Sequence, residues 1–129
     1  MPSYQFEKHY TLEEARALLP RLRKLFKVIH TEKTLVEETE ETLDREQARS
    51  GNDLGGKPVC KLVTSMVTLR EKMLEIAALG IQIKDIDRGL IDFPSLREGR
   101  EVFLCWELEE DDIEFWHDLE TGYAGRERL

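Results

Sequence analysis

The chain has little of what staples or metallates a small domain. It holds two cysteines, Cys60 and Cys105, in 129 residues. They lie far apart and neither belongs to a Cys-x-x-Cys pair, which argues against a zinc ribbon and a thioredoxin-like dithiol and points to two reduced thiols. Long apolar runs are missing too: none approaches the roughly 20 residues that a membrane-spanning helix needs. The opening Met1-Pro2-Ser3-Tyr4-Gln5-Phe6-Glu7-Lys8 has neither the apolar core nor the small-residue cleavage site of a secretion signal, so a cytoplasmic location is expected. Nor is there a phosphate loop, because Gly122 and Gly125 flank Tyr123-Ala124 without the preceding strand and following helix that such loops require.

What the chain does have is charge, unevenly placed. Charged residues make up 36% of it, hydrophobic residues 40%, and the net charge is −8, a composition too apolar for a disordered chain and sufficient for one domain over residues 1–129. The last fifty residues hold six basic against fourteen acidic side chains. That field repels phosphate backbones and disfavours nucleic acid as a partner. Arg16, Arg21, Arg23, Lys24 and Lys27 form a local exception; a solvated face is the plain reading, and a dock for an acidic surface, such as another copy's C-terminal module, the sharper one.

The fold class expected is α+β: a long antiparallel helical hairpin over 11–79, packed on a small antiparallel β-meander with a short C-terminal helix over 80–129. Tyr4, Phe6 and Tyr10 alternate imperfectly and suggest a short edge strand. Thr11-Leu12-Glu13-Glu14 is a capping box that starts a helix. Leu18, Leu22, Leu25 and Ile29 continue it toward Val36 and Leu43, and Pro20 inside it predicts a kink near residues 16–20. The glycine-rich stretch from Ser50 to Lys57 is a connection, and Pro58 suits the first turn of a second helix.

That second helix carries two apolar stripes. Val59, Met66 and Met73 alternate with Leu62, Leu69 and Ile76 as heptad positions, while Cys60, Val63, Val67, Leu74 and Ala77 form the other stripe. One antiparallel partner cannot cover both, which predicts a homodimer through the hairpin. A hairpin symmetric about the loop sets Leu43 near Thr64, Val36 near Glu71 and Ile29 near Ala78, and leaves residues 12–25 of the first helix to pack on the C-terminal module.

After Gly80 the period changes. Ile81 to Ile86 alternates, Asp87-Arg88-Gly89 turns, Leu90 to Phe93 is short and apolar, Glu98-Gly99 turns again, and Glu101 to Trp106 is rich in strand formers. Glu109-Glu110-Asp111-Asp112 then supplies the negative charge a helix start favours, with Ile113, Trp116 and Glu120 following at helical spacing. Five of the ten aromatics fall within 103–123, so this last third is where a site is sought.

Thr11-Leu12-Glu13-Glu14-Ala15-Arg16-Ala17-Leu18-Leu19-Pro20, Gly89-Leu90-Ile91-Asp92-Phe93-Pro94, Leu104-Cys105-Trp106, Trp116-His117 and Gly122-Tyr123-Ala124-Gly125-Arg126 together resemble the small prokaryotic family known as domain of unknown function 2203. The resemblance covers nearly the whole chain. It implies a prokaryotic source and supports the domain boundary, and it implies no catalytic activity.

Four residues are the candidate site. Cys105 and Glu107 share one face of a strand, Asp92 lies on its neighbour, and His117 sits on a helix able to fold across; thiolate, imidazole and carboxylate suit zinc or another divalent metal at about 2.0–2.3 Å. A Cys105 nucleophile activated by His117 is a further option, and a buried thiol with a half-buried imidazole on a backbone carbonyl or Asp92 is the plain one. Arg126 is expected to anchor the tail on Asp92 or an acid of 109–112, with a ligand carboxylate or phosphate as the alternative. His9 and His30 lack neighbouring ligand types. The favoured function is a non-enzymatic homo-oligomeric interaction module without a cofactor; the alternative is a small metal-dependent or thiol enzyme built on Asp92, Cys105, Glu107 and His117.

Overall fold

The structure, a computed structural model, describes residues 3–50 and 56–129. Two helices precede a five-stranded antiparallel sheet, so the fold is α+β. Helix α1 spans Leu12–Ser50, α2 spans Lys57–Ala78, and the strands are β1 (Gln82–Asp85), β2 (Leu90–Arg97), β3 (Arg100–Trp106), β4 (Phe115–Asp118) and β5 (Glu127–Arg128). A single 3₁₀ turn, Tyr123–Gly125, precedes β5. The chain divides into two compact units: one ends at Lys24 and resumes at Glu75 to take in the sheet, and the other is Leu25–Leu74. No described helix is long and apolar enough to cross a membrane.

In the sheet unit, α1 begins with the reciprocal cap that its sequence specifies. The Glu14 amide donates to Thr11 Oγ1 at 3.1 Å, and the Thr11 amide donates to Glu14 Oε1 at 2.9 Å, so two of the helix's orphan donors are satisfied. The helix runs unbroken through Pro20. Its first turns bury Ala15, Leu19 and Leu22. Arg16 donates to Asp112 at 2.9 Å, and Arg23 donates to the Asp111 carbonyl at 2.9 Å while its guanidinium lies over the Trp106 ring. Two of the five basic residues, Arg16 and Arg23, therefore meet the acidic run of their own chain.

The sheet is a meander in strand order β1-β2-β3-β4-β5. Both anticipated turns are present. Gly89 has φ +61°, and a Cβ there would come within 2.7 Å of the Leu108 side chain, so only glycine fits the β1–β2 turn. Glu98 and Gly99 both take positive φ between the paired Arg97 and Arg100, as a two-residue hairpin loop of the primed type requires.

Two local expectations give way. Residues 113–120 are not helical: Phe115–Asp118 is β4, paired with β3 so that Leu104 faces Trp116 and Phe103 faces His117. The acidic residues at 109–112 are held instead by Arg16 and Arg23 and by turns, with the Glu110 carbonyl accepting from Trp106 Nε1 at 2.9 Å. The short C-terminal helical element lies further on, at Tyr123–Gly125. The segment from Tyr4 to Tyr10 forms no strand. Its amides at Gln5 and Phe6 and the His9 ring all bond the Glu101 carboxylate at 2.9–3.0 Å, so one side chain replaces a ladder. Tyr10 then meets β2 beyond the end of β1, its amide donating to the Pro94 carbonyl and its own carbonyl accepting from Ser95 Oγ.

The second unit is the body of the helical hairpin. Leu25, Phe26 and Ile29 are buried on α1, and beyond Ile29 no described α1 side chain is. Leu35, Thr39 and Thr42 share a cleft with Lys57, Pro58 and Lys61 of α2, and within the sheet unit Arg21 pairs with Glu75 at 3.0 Å. The helices are antiparallel neighbours, but α1 stands further along than a hairpin symmetric about its loop would set it, because its last turns run past the start of α2. The glycine-rich stretch expected to connect them lies largely outside the described residues. On α2 the stripe of Val63, Val67 and Leu74 is exposed, each side chain about half accessible, as the two-stripe pattern anticipates.

Candidate metal centre

The meander decides which functional side chains meet. Turning at Glu98-Gly99 puts Asp92 of β2 opposite Cys105 of β3. Antiparallel pairing of β3 with β4 then sets His117 opposite Phe103, two residues from Cys105 on the same face. One ligand atom each of Asp92, Cys105 and His117 lies within 4.8 Å of the others, and all three residues are buried. Such a convergence of imidazole, thiol and carboxylate is rare in a core unless the groups are paired with one another or with an ion.

Hydrogen bonds fix the histidine. Nδ1 lies 2.7 Å from the Asp118 carbonyl oxygen, and Nε2 lies 3.0 Å from Asp92 Oδ1. A carbonyl can only accept, so Nδ1 carries the proton and Nε2 is the nitrogen aimed into the cluster. Burial alone would lower the pKa of His117, but the bonds to Asp92 and Asp118 outweigh it and the imidazole is held above its ordinary value. Cys105 moves further: burial first, then the Asp92 charge, push its thiol up to about 12.

The cluster forms one wall of a cavity of about 240 Å³, completed by Lys84, Leu90, Phe103, Leu119, Glu120, Gly122 and Tyr123. Lys84 reaches it through an irregularity in β1. Ile83 pairs with Ile91 and Asp85 with Leu90, so Lys84 is the extra residue of a bulge, a device that re-aims a side chain beside a site.

Two sequence-selected residues stand apart from the triad. Glu107 would share a face with Cys105 if the strand continued, but β3 ends at Trp106. Its carboxylate instead accepts from Arg88 at 2.9 Å and lies 3.7 Å from Arg126. Arg126 anchors the tail as anticipated: it donates to Glu110 Oε1 at 2.6 Å and to the Cys105 carbonyl at 3.3 Å, between the rings of Phe115 and Tyr123. Through that carbonyl it braces the strand carrying Cys105. Sequence reading missed Lys84, which no local pattern marks, and the Glu101 to His9 pair, which joins positions 92 apart.

No curated protein and no solved structure matches the chain. The family model described as Uncharacterized conserved protein (DUF2203) matches residues 8–129, and the chain belongs to that family.

Proposed function

We propose that Asp92, Cys105 and His117 bind a divalent transition-metal ion, with zinc the first choice, and that the adjoining cavity gives a small ligand access to it. The observation that carries this reading is the buried convergence of three different ligand types within 4.8 Å. Tetrahedral zinc at about 2.0–2.3 Å from each ligand spaces ligand atoms about 3.4 Å apart; His117 Nε2 and Asp92 Oδ1 are already 3.0 Å apart, and the widest separation in the set, at most 4.8 Å, closes with side-chain shifts of up to about 1.4 Å. The Asp118 carbonyl on Nδ1 is the outer contact that orients a ligating histidine. Three protein ligands leave a fourth position for water or a ligand, the pattern of a zinc site that works on its ligand. Glu107, held by Arg88, is left out of the proposed ligand set.

The thiol alternative loses ground on the same geometry. A nucleophilic cysteine needs a lowered pKa, and here burial and Asp92 act in the opposite sense. Coordination removes the difficulty, since an ion stabilises the thiolate directly.

Zinc titration against a chromophoric chelator tests the reading. Wild type takes up about one equivalent, and Asp92→Asn and Cys105→Ser each weaken binding by more than the roughly 10–100-fold that loss of an outer contact costs. A folded wild type with no affinity for zinc, manganese or iron contradicts it.

A separate observation favours self-association. Val63, Met66, Val67 and Leu74 leave one α2 face apolar and exposed, and a second copy is the occupant whose charges match. Residues 31–50 of α1 hold seven acids against three bases, whereas α2 holds four bases against two acids, so paired hairpins set a net acidic flank against a net basic one. The chain is then a homodimer joined through its hairpins.

A further inference from the structure

We infer that the ligand admitted by the cavity is a small monocarboxylate, one oxygen at the metal and the other on Lys84. This rests on the metal reading above.

Among the described residues lining the cavity, Lys84 is the one lysine or arginine. Its ammonium lies 5.7 Å from the centre of the Phe103 ring and is in no ion pair among the described residues, whereas Arg88 and Arg126, nearby in the fold, are each committed to a glutamate. A lysine placed by a bulge beside a wall of ligand atoms, without an acid of its own, supplies a positive charge for a ligand's anionic group.

The class of anion follows from the rest of the lining. Leu90, Phe103, Leu119 and Tyr123 make the walls predominantly apolar, which suits a carboxylate with a short hydrocarbon body better than a phosphate, whose several oxygens call for several donors. Glu120 also lines the cavity and opposes any second negative charge. At about 240 Å³ the space lies below the roughly 300–1,000 Å³ of drug-sized pockets, so the ligand has few non-hydrogen atoms.

Cobalt provides a visible readout in the full chain. With cobalt bound, the thiolate gives a charge-transfer band, and butyrate is titrated while the d–d bands are followed. Butyrate should perturb those bands saturably and more tightly than inorganic phosphate. Lys84→Met, which keeps most of the side-chain stem, should weaken butyrate by about tenfold or more, as loss of a charged hydrogen bond does, while the thiolate–cobalt band persists. A thiolate–cobalt band that butyrate leaves unaltered, tighter binding of phosphate, or equal butyrate affinity in Lys84→Met overturns the inference while the metal site stands. Absence of the cobalt band overturns both.

Discussion

His117 Nε2 lies 3.0 Å from Asp92 Oδ1, with both side chains almost wholly inaccessible to solvent. Because Nδ1 is occupied by the Asp118 carbonyl, Nε2 meets the carboxylate either as a second N–H or as a lone pair with an ion between them. Either arrangement makes the two residues one unit.

Removing half of such a pair strands the other half. In metal-free protein, Asp92→Ala should lower stability by about 3–5 kcal/mol, the range for breaking a buried ion pair, as read from urea midpoints at unchanged slope. A loss below about 1 kcal/mol, typical of an exposed pair, would show that the two groups do not depend on each other.

Cys105 should be inert in the native, metal-free state. A thiol at about 12 against an ordinary 9.0 has about a thousandfold less thiolate near neutral pH. In a Cys60→Ser background, iodoacetamide should therefore label the native protein far more slowly than the unfolded one. Equal rates would restore the nucleophile reading.

The N-terminal segment should detach in acid. Burial raises the pKa of Glu101, but the Gln5 and Phe6 amides and the His9 ring outweigh it, and the carboxyl sits below its ordinary value. A depressed carboxylate contributes stability above its unfolded pKa and loses it as pH falls through the folded one. Amide-exchange protection at Gln5 and Phe6, measured against the intrinsic rate at each pH, should thus fall only below about pH 4, and Glu101→Gln should lower it at neutral pH. Protection that is flat down to pH 2, or unaltered in Glu101→Gln, would contradict this.

Self-association has its own test. Light scattering should give a dimer for wild type at micromolar concentration and a folded monomer for Val67→Glu combined with Leu74→Glu. A monomeric wild type removes the hairpin interface.

Much of the fold was legible because its signals are local. The cap at Thr11 and Glu14 and the turns at Gly89 and Gly99 each need only a few adjacent residues. The hairpin about Glu98-Gly99 also sets Asp92 against Cys105. The stretch from Ile113 to Glu120 was not legible: its spacing fits a helix, and only pairing of Leu104 with Trp116 makes it a strand, a contact between distant positions overriding local pattern. His117 was consequently assigned to the right neighbourhood on the wrong element. Glu107 failed for a related reason, since alternation holds only while a strand lasts and β3 stops one residue earlier. The register of the two helices, with Leu35, Thr39 and Thr42 beside Lys57, Pro58 and Lys61, departs from the pairing that a hairpin symmetric about residues 51–56 predicts.

The most direct test is the metal content of untagged, purified protein by plasma mass spectrometry, with His117→Ala alongside. The account predicts about one zinc, manganese or iron per chain in wild type and a stoichiometric loss in the variant. No metal in a folded wild type, or equal metal in both proteins, would contradict the assignment of Asp92, Cys105 and His117 as a metal centre.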